Sequence, residues 1–166
     1  MLLLLLAAAL GLDDPLAPAA AGKLQCHSPD VANKTCKSIA SYQTGTDGVI
    51  RNTARLPLAN EPPVALTLVS TVTVRDGAVC GFIAASDFDR GVIDVNGQAL
   101  AAEKAQPIVA KVAAAMASFI GKEICTRYTA NGAALMAHAT IDGVAQPAFD
   151  QPVIWVDPAE GYRVKA

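Results

Sequence analysis

Apolar residues recur at the period of an α-helix in one long segment of the chain, residues 101–121. At about 100° per residue, its larger apolar side chains fall within a single arc of the helix surface. These side chains are Ile108, Val109, Val112, Met116, Phe119 and Ile120. Proline is tolerated best near a helix start, so Pro107 predicts a regular helix that begins near Ala105 or kinks there, and Gly121 is the expected stop. The pattern therefore predicts one long amphipathic helix that buries one face.

Much of the remaining chain alternates between apolar and polar residues, which is the period of a β-strand. The clearest alternation runs through residues 49–58 and 64–74, and the threonines of the second segment are expected to face solvent. Shorter strand-like segments are residues 37–44, 78–84, 91–95, 123–129, 134–141 and 153–156. Asp-Gly and Asn-Gly pairs between several of them are typical of tight reversals. The predicted fold is α+β, a mostly antiparallel sheet with the long helix packed on one face.

The N-terminal segment has the features of a secretory signal peptide. Residues 2–12 are apolar but too few for a membrane span, which needs about 20 residues. The small residues Ala19 and Ala21 form a cleavage-site pattern. An ordinary buried helix fits less well, because two aspartates and two prolines follow the apolar run. We therefore predict a signal peptide over residues 1–21 and a single domain without a membrane span over residues 22–166.

Four cysteines remain in the predicted mature chain, and an even number in an exported protein is most simply explained by two disulfides. Three pairings are possible. We favour Cys26–Cys36, which closes a short loop, and Cys80–Cys125, which joins the segments before and after the helix. A metal site of four thiolates is the alternative, and the absence of any Cys-x-x-Cys pair disfavours it. The sequence thus predicts no metal ion or cofactor.

The charge of the chain argues against a nucleic-acid binder, which is expected to carry a clear basic excess. Of the 15 acidic residues, Asp13 and Asp14 lie in the predicted signal peptide, so the rest equal the 13 lysines and arginines in number. These basic residues are scattered singly along the chain. The expected partner is an envelope protein or a small ligand, which the sequence does not identify.

The two histidines are the first candidates for chemistry. His27 lies beside a predicted disulfide, where a structural role is expected. His138 lies on a predicted strand, and Arg127 lies on the strand that pairs with it most readily, so the two predict a small polar binding patch. Asp87 and Asp89 are interpreted as acids at a helix start. No catalytic residue is assigned, since the motifs of serine hydrolases, zinc proteases and nucleotide-binding loops are absent.

Four segments carry a resemblance over most of the predicted mature chain: CHSPDVANKTC, RDGAVCG, KEICTRY and QPVIWVDPAEGYRV. Together they resemble uncharacterised small exported proteins of alphaproteobacteria. The resemblance implies export and a shared fold. It implies no activity, cofactor or functional residue.

These features predict a periplasmic or secreted protein that acts as a non-enzymatic binding or interaction domain of the cell envelope. One alternative is a small hydrolase-like enzyme that uses His138 with a nearby acid. Another is a secreted inhibitor of an envelope hydrolase that presents the Cys26–Cys36 loop as a rigid wedge. A pocket around His138 would favour the enzyme, an apolar groove the binding domain, and a protruding loop the inhibitor.

Overall fold

The computed structural model describes residues 14–166, and within that range the chain forms thirteen strands and three α-helices. The helices are α1 Ala17–Ala20, α2 Ala85–Asp89 and α3 Ala102–Ala115. The strands are β1 Leu24–His27, β2 Thr35–Cys36, β3 Ser38–Thr44, β4 Ile50–Asn60, β5 Pro63–Arg75, β6 Ala78–Phe82, β7 Val92–Val95, β8 Gln98–Ala99, β9 Glu123–Asn131, β10 Ala134–Ile141, β11 Val144–Ala145, β12 Gln151–Val156 and β13 Arg163–Val164. No helix between residues 14 and 166 is both long enough and apolar enough to cross a membrane.

Eight of the strands in the described part of the chain form a closed antiparallel barrel. Their order around the barrel is β1, β3, β4, β5, β6, β9, β10 and β12, and β12 pairs with β1 again. The pairing of β4 with β5 extends from Ile50 opposite Val72 to Asn60 opposite Pro63. Because each of the eight strands has two neighbours, their backbone groups are paired on both sides and their inward side chains share one interior.

The predicted α+β fold, with a long helix on one face of a sheet, is therefore wrong. A closed barrel covers the concave face of its sheet with its own opposite wall, so no helix is needed on that face. The helix bounds also differ from the prediction: α3 begins at Ala102 rather than near Ala105, contains Pro107, and ends at Ala115 rather than at Gly121. Beyond it, Phe119 packs edge-on against Phe149 with the ring centroids 5.9 Å apart, and Ile120 forms a β-bridge with Ile83.

The two longer helices pack at one end of the barrel. Strand β5 is long enough to pair with two strands along the edge opposite β4. Its C-terminal part pairs with β6 in the barrel, and its N-terminal part pairs with β7. On this extension Leu66 is 1% exposed and belongs to a cluster with Phe88 of α2, Ile93 of β7, and Ala105 and Val109 of α3. The apolar face of α3 is thus buried in a cluster at this end of the barrel.

Two disulfides are present with the predicted pairings, Cys26–Cys36 and Cys80–Cys125. Cys80 and Cys125 are direct partners on the neighbouring strands β6 and β9, with their Cα atoms 4.0 Å apart. Cys26 and Cys36 are buried beside Val156 on the outer side of the barrel. Cys80–Cys125 therefore joins two strands of the barrel, Cys26–Cys36 ties β2 to the barrel strand β1, and neither disulfide clamps the helix.

The N-terminal segment closes the opposite end of the barrel. Leu16, just before α1, is 6% exposed and packs with Val72 and Val79 and with the partly buried rings of Tyr42 and Trp155. This segment lies inside the predicted signal peptide, while residues 1–13 lie outside the described residues. Cleavage after Ala21 remains a prediction, and it would remove Leu16 from the barrel end.

We expect Leu16→Ala in the full chain to lower the free energy of unfolding by about 2–4 kcal/mol, because the residue fills a buried site among large side chains. Val31→Ala is the matched control, since Val31 is 63% exposed, and its effect should be within about 0.5 kcal/mol. Urea unfolding measures both. Equal effects of the two substitutions would show that Leu16 does not close the barrel.

Candidate functional site

The interior of the barrel is not uniformly apolar, because polar side chains interrupt its inward rows. On β4, Asn52 shares the inward row with Ile50 and Ala54, and on β5 Ser70 takes the equivalent place. The register sets Asn52 directly between Tyr42 of β3 and Ser70 of β5. A band of polar groups therefore crosses the middle of the barrel wall.

Gln25 of β1 is the centre of this band. It is 0% exposed, and its Oε1 accepts hydrogen bonds from the hydroxyl of Tyr42 at 2.8 Å and the hydroxyl of Tyr128 at 3.1 Å. The Nε2 atom of His27 lies 3.0 Å from the same oxygen. Burial raises the pKa of Tyr42 well above its ordinary value and also raises the pKa of Tyr128. Both hydroxyls therefore keep the protons that they donate.

The same contact fixes the protonation of His27. The Oε1 atom of Gln25 can only accept a hydrogen bond, so the proton of the His27 ring must lie on Nε2. Burial lowers the pKa of His27 from 6.5 to about 4, so the ring is neutral near neutral pH. In a neutral ring with its proton on Nε2, the Nδ1 atom is a hydrogen-bond acceptor.

Three buried polar atoms of this band have no hydrogen-bond partner within residues 14–166: Gln25 Nε2, His27 Nδ1 and Asn52 Oδ1. Leaving a buried donor or acceptor unpaired costs about 1–3 kcal/mol. Such groups are rare in folded proteins and often mark a site with a purpose other than stability. All three belong to the polar band, which is therefore the candidate site within the barrel.

A cavity of about 240 Å³ lies against this band. His27 and Asn52 line it together with Ser70, while its apolar lining is formed by side chains from several strands, and its remaining wall includes small residues. The apolar residues are Leu56, Val72, Val79, Ile83 and Ile124. Phe82 also lines the cavity and is 59% exposed, so it lies where the cavity reaches the surface.

The predicted polar patch lies on the other side of the barrel wall. Arg127 and His138 are direct partners on β9 and β10, on the outward rows of these strands. His138 Nδ1 lies 2.7 Å from Asp150 Oδ2, and its Nε2 lies 3.0 Å from Thr129 Oγ1. The order acid, imidazole, hydroxyl is that of a catalytic relay. However, the side chain of His138 is 44% exposed on an outer surface, and binding by this patch stays a prediction.

The other candidates from the sequence make structural contacts. Asp87 Oδ2 accepts a hydrogen bond from the backbone N–H of Ala84 at 3.1 Å, at the start of α2. The Cys26–Cys36 loop is tied to the C-terminal segment, where Lys34 Nζ donates to the backbone oxygen of Glu160 at 3.0 Å. No group of three or more His, Cys, Asp or Glu residues suited to a metal ion occurs among residues 14–166.

Sequence reasoning missed Gln25, His27 and Asn52 as members of one site. A signal for Asn52 was present, because it occupies an inward position in an otherwise apolar row of β4. Gln25 and His27 are two residues apart and so share a face of β1. His27 was interpreted from its neighbour Cys26, which faces the opposite side of the strand.

No protein-family model matches the chain, and no curated protein or solved structure matches it.

The lowered pKa of His27 predicts that stability falls in acid. Below its unfolded pKa of 6.5, the unfolded chain takes up a proton that the folded chain accepts only near pH 4. The contribution of neutral His27 to the free energy of unfolding is therefore fully present above about pH 6.5. The free energy of unfolding should fall by about 2–3 kcal/mol between about pH 7 and about pH 4.5. The other titratable side chains of the band are Tyr42 and Tyr128, which stay protonated throughout this range. Urea unfolding at several pH values measures the decline.

His27→Gln should flatten this decline, whereas His138→Gln, which changes the exposed histidine, should leave it unchanged. An unaltered pH dependence in His27→Gln would mean that another group is responsible.

Proposed function

We propose that this protein is a non-enzymatic binding domain of the cell envelope that holds a small ligand inside its barrel. The observation that carries the proposal is the cavity of about 240 Å³ inside the barrel, whose lining places His27, Asn52 and Ser70 beside apolar side chains. The proposed ligand would therefore lie in this cavity, next to His27 and Asn52.

Barrel architecture supports a binding role on general grounds. Small ligands are commonly held in concave sites lined by apolar groups with a few placed polar ones, and the interiors of eight-stranded barrels provide such sites. The cavity of this chain has that composition. The apolar clusters at the two ends of the barrel, around Leu16 and Leu66, supply the stability that the polar middle lacks.

Export to the envelope is the second part of the proposal. Two disulfides are typical of proteins that fold in an oxidising compartment. The apolar N-terminal run supplies the sequence argument for a signal peptide, although those residues lie outside the described range.

The geometry favours neither a hydrolase nor an inhibitor as the first choice. The relay of Thr129, His138 and Asp150 lies on the outer surface, where water competes for every hydrogen bond, whereas hydrolases enclose the reacting groups in a pocket. The loop between Cys26 and Cys36 is held to the C-terminal segment by parallel pairing of β2 with β13. The barrel interior offers the better-defined site.

The proposal is tested by filling the cavity. Ala54 lines it, and we expect Ala54→Leu to abolish binding of small molecules while stability is unchanged or rises by up to about 2 kcal/mol. Binding is measured by amide NMR shifts of the full chain against a library of small fragments of mixed charge. Wild-type shifts should centre on the cavity residues.

Ala114→Leu is the matched control, because Ala114 is exposed on α3 and the side-chain change is the same. It should bind as the wild type does. If no fragment perturbs the cavity residues of the wild type, or if Ala54→Leu binds as well as the wild type, the barrel interior is not the ligand site.

A further inference from the structure

The Cys80–Cys125 disulfide lies on the outer face of the barrel wall. The residues on either side of each cysteine line the interior cavity, so the cysteines themselves face outward. These neighbours are Val79, Gly81, Ile124 and Thr126. Cys80 is 3% exposed, whereas Cys125 is only half-buried. Because the backbone of Cys125 is paired with β6 on one side and β10 on the other, the surface that it exposes is mainly that of its side chain.

A positive charge lies over this disulfide. Arg75 Nη2, at the end of β5, lies 3.7 Å from Cys125 Sγ and 3.8 Å from Cys80 Sγ, within reach of weak N–H···S hydrogen bonds. The same nitrogen donates a hydrogen bond to Glu123 Oε2 at 2.8 Å. A terminal guanidinium nitrogen carries two protons, so one can point to Glu123 while the other points to the sulfurs. Glu123 therefore holds the guanidinium over the disulfide.

The second disulfide of the chain has a different environment. Cys26 and Cys36 are 0% and 2% exposed. The Sγ atom of Cys26 lies 3.9 Å from the backbone oxygen of Thr35, which is a neutral group. The Cys26–Cys36 bond is thus closed to solvent on both sides, and it provides an internal reference for the reactivity of Cys80–Cys125.

The chemistry of disulfides gives the position of Arg75 a consequence. A thiolate opens a disulfide by attacking one sulfur, and the other sulfur leaves as a thiolate. A neighbouring arginine favours the thiolate form of a cysteine, and a more stable thiolate leaves faster. Attack at Cys125 Sγ would release Cys80 Sγ, whose negative charge would form 3.8 Å from Arg75 Nη2. The half-buried cysteine is therefore the point of attack, and the guanidinium stabilises the sulfur that leaves.

We propose that Cys80–Cys125 is a thiol–disulfide exchange site for small-molecule thiols, activated by Arg75. The partial burial of Cys125 favours a small thiol over the thiol of a folded protein. The site lies on the outer wall, so this inference goes beyond the proposed function and does not depend on a ligand in the cavity.

The exchange takes place in two steps. The thiolate of a first small thiol forms a bond with Cys125 Sγ, and the electron pair of the broken S–S bond goes to Cys80 Sγ. A second thiolate then attacks the sulfur of the bound small thiol and releases Cys125 Sγ as a thiolate. The two small thiols become one disulfide and lose two electrons, which the protein gains, and the two cysteines take up the protons that the small thiols gave up.

Reaction of the folded full chain with excess glutathione at neutral pH tests the site. Samples are quenched with acid, free thiols are alkylated, and the cysteine peptides are identified by mass spectrometry. We expect Cys80–Cys125 to open at least about tenfold faster than Cys26–Cys36, with glutathione first attached to Cys125. Equal rates for the two disulfides, no reaction of Cys80–Cys125, or glutathione attached to Cys80 would overturn the proposal.

Substitutions of opposite charge effect test the role of Arg75. Arg75→Gln removes the cation and should slow the opening of Cys80–Cys125 about three- to tenfold. Glu123→Gln keeps a hydrogen-bond acceptor for Arg75 and removes the opposing negative charge, so it should accelerate the opening. Arg51→Gln, the same change as in Arg75→Gln at an exposed position of β4, should leave the rate unchanged. Each rate is expressed relative to that of Cys26–Cys36 in the same variant, which corrects for a general loss of stability.

The direction of these changes separates activation from shielding. If Arg75 only covers the sulfurs, Arg75→Gln will accelerate the opening. An accelerated or unchanged opening in Arg75→Gln would therefore overturn the assignment of Arg75 as the activating group.

Discussion

The carbonyl oxygen of Gln25 organises the interior of this barrel. It is fully buried and gathers Tyr42, Tyr128 and His27, which come from three different strands. Because the oxygen accepts and never donates, it sets the direction of every hydrogen bond around it. Burial keeps His27 neutral and raises the pKa of both tyrosines, while the contact with Gln25 sets which nitrogen of His27 carries the proton.

Closure of the barrel explains how such a polar centre is tolerated. An isolated polar band would weaken a small core, yet here it lies between two apolar clusters, one around Leu16 and one around Leu66. The antiparallel ladders pair the backbone groups of each barrel strand on both sides, and two disulfides restrain the outer wall. Stability is thus concentrated at the ends and in the backbone, and this offsets the cost of the polar middle.

Local pattern and chemistry predicted part of this structure. Alternation located strands such as 49–58, which corresponds to β4, and the cysteine spacing led to both disulfides. Closure was not predictable in the same way, because the seam between β1 and β12 joins Leu24 to Val156 and no local period records a contact over such a distance. The predicted helix extended beyond Ala115 because apolar residues of the following loop and β-bridge continue the helical period. Asn52 was the one member of the site that the sequence pattern marked, because it is a polar residue in an apolar row of β4. A polar residue in such a row indicates a site only when the row is known to face a closed interior.

The protonation state of His27 tests the account most directly, because it depends on both the burial of the ring and its contact with Gln25. Nitrogen-15 chemical shifts of the imidazole ring, recorded on the full chain near pH 7, distinguish the two neutral tautomers from the charged ring. The account predicts a neutral His27 with its proton on Nε2, hydrogen-bonded to Gln25. A ring protonated on Nδ1, or a charged ring at this pH, would contradict it.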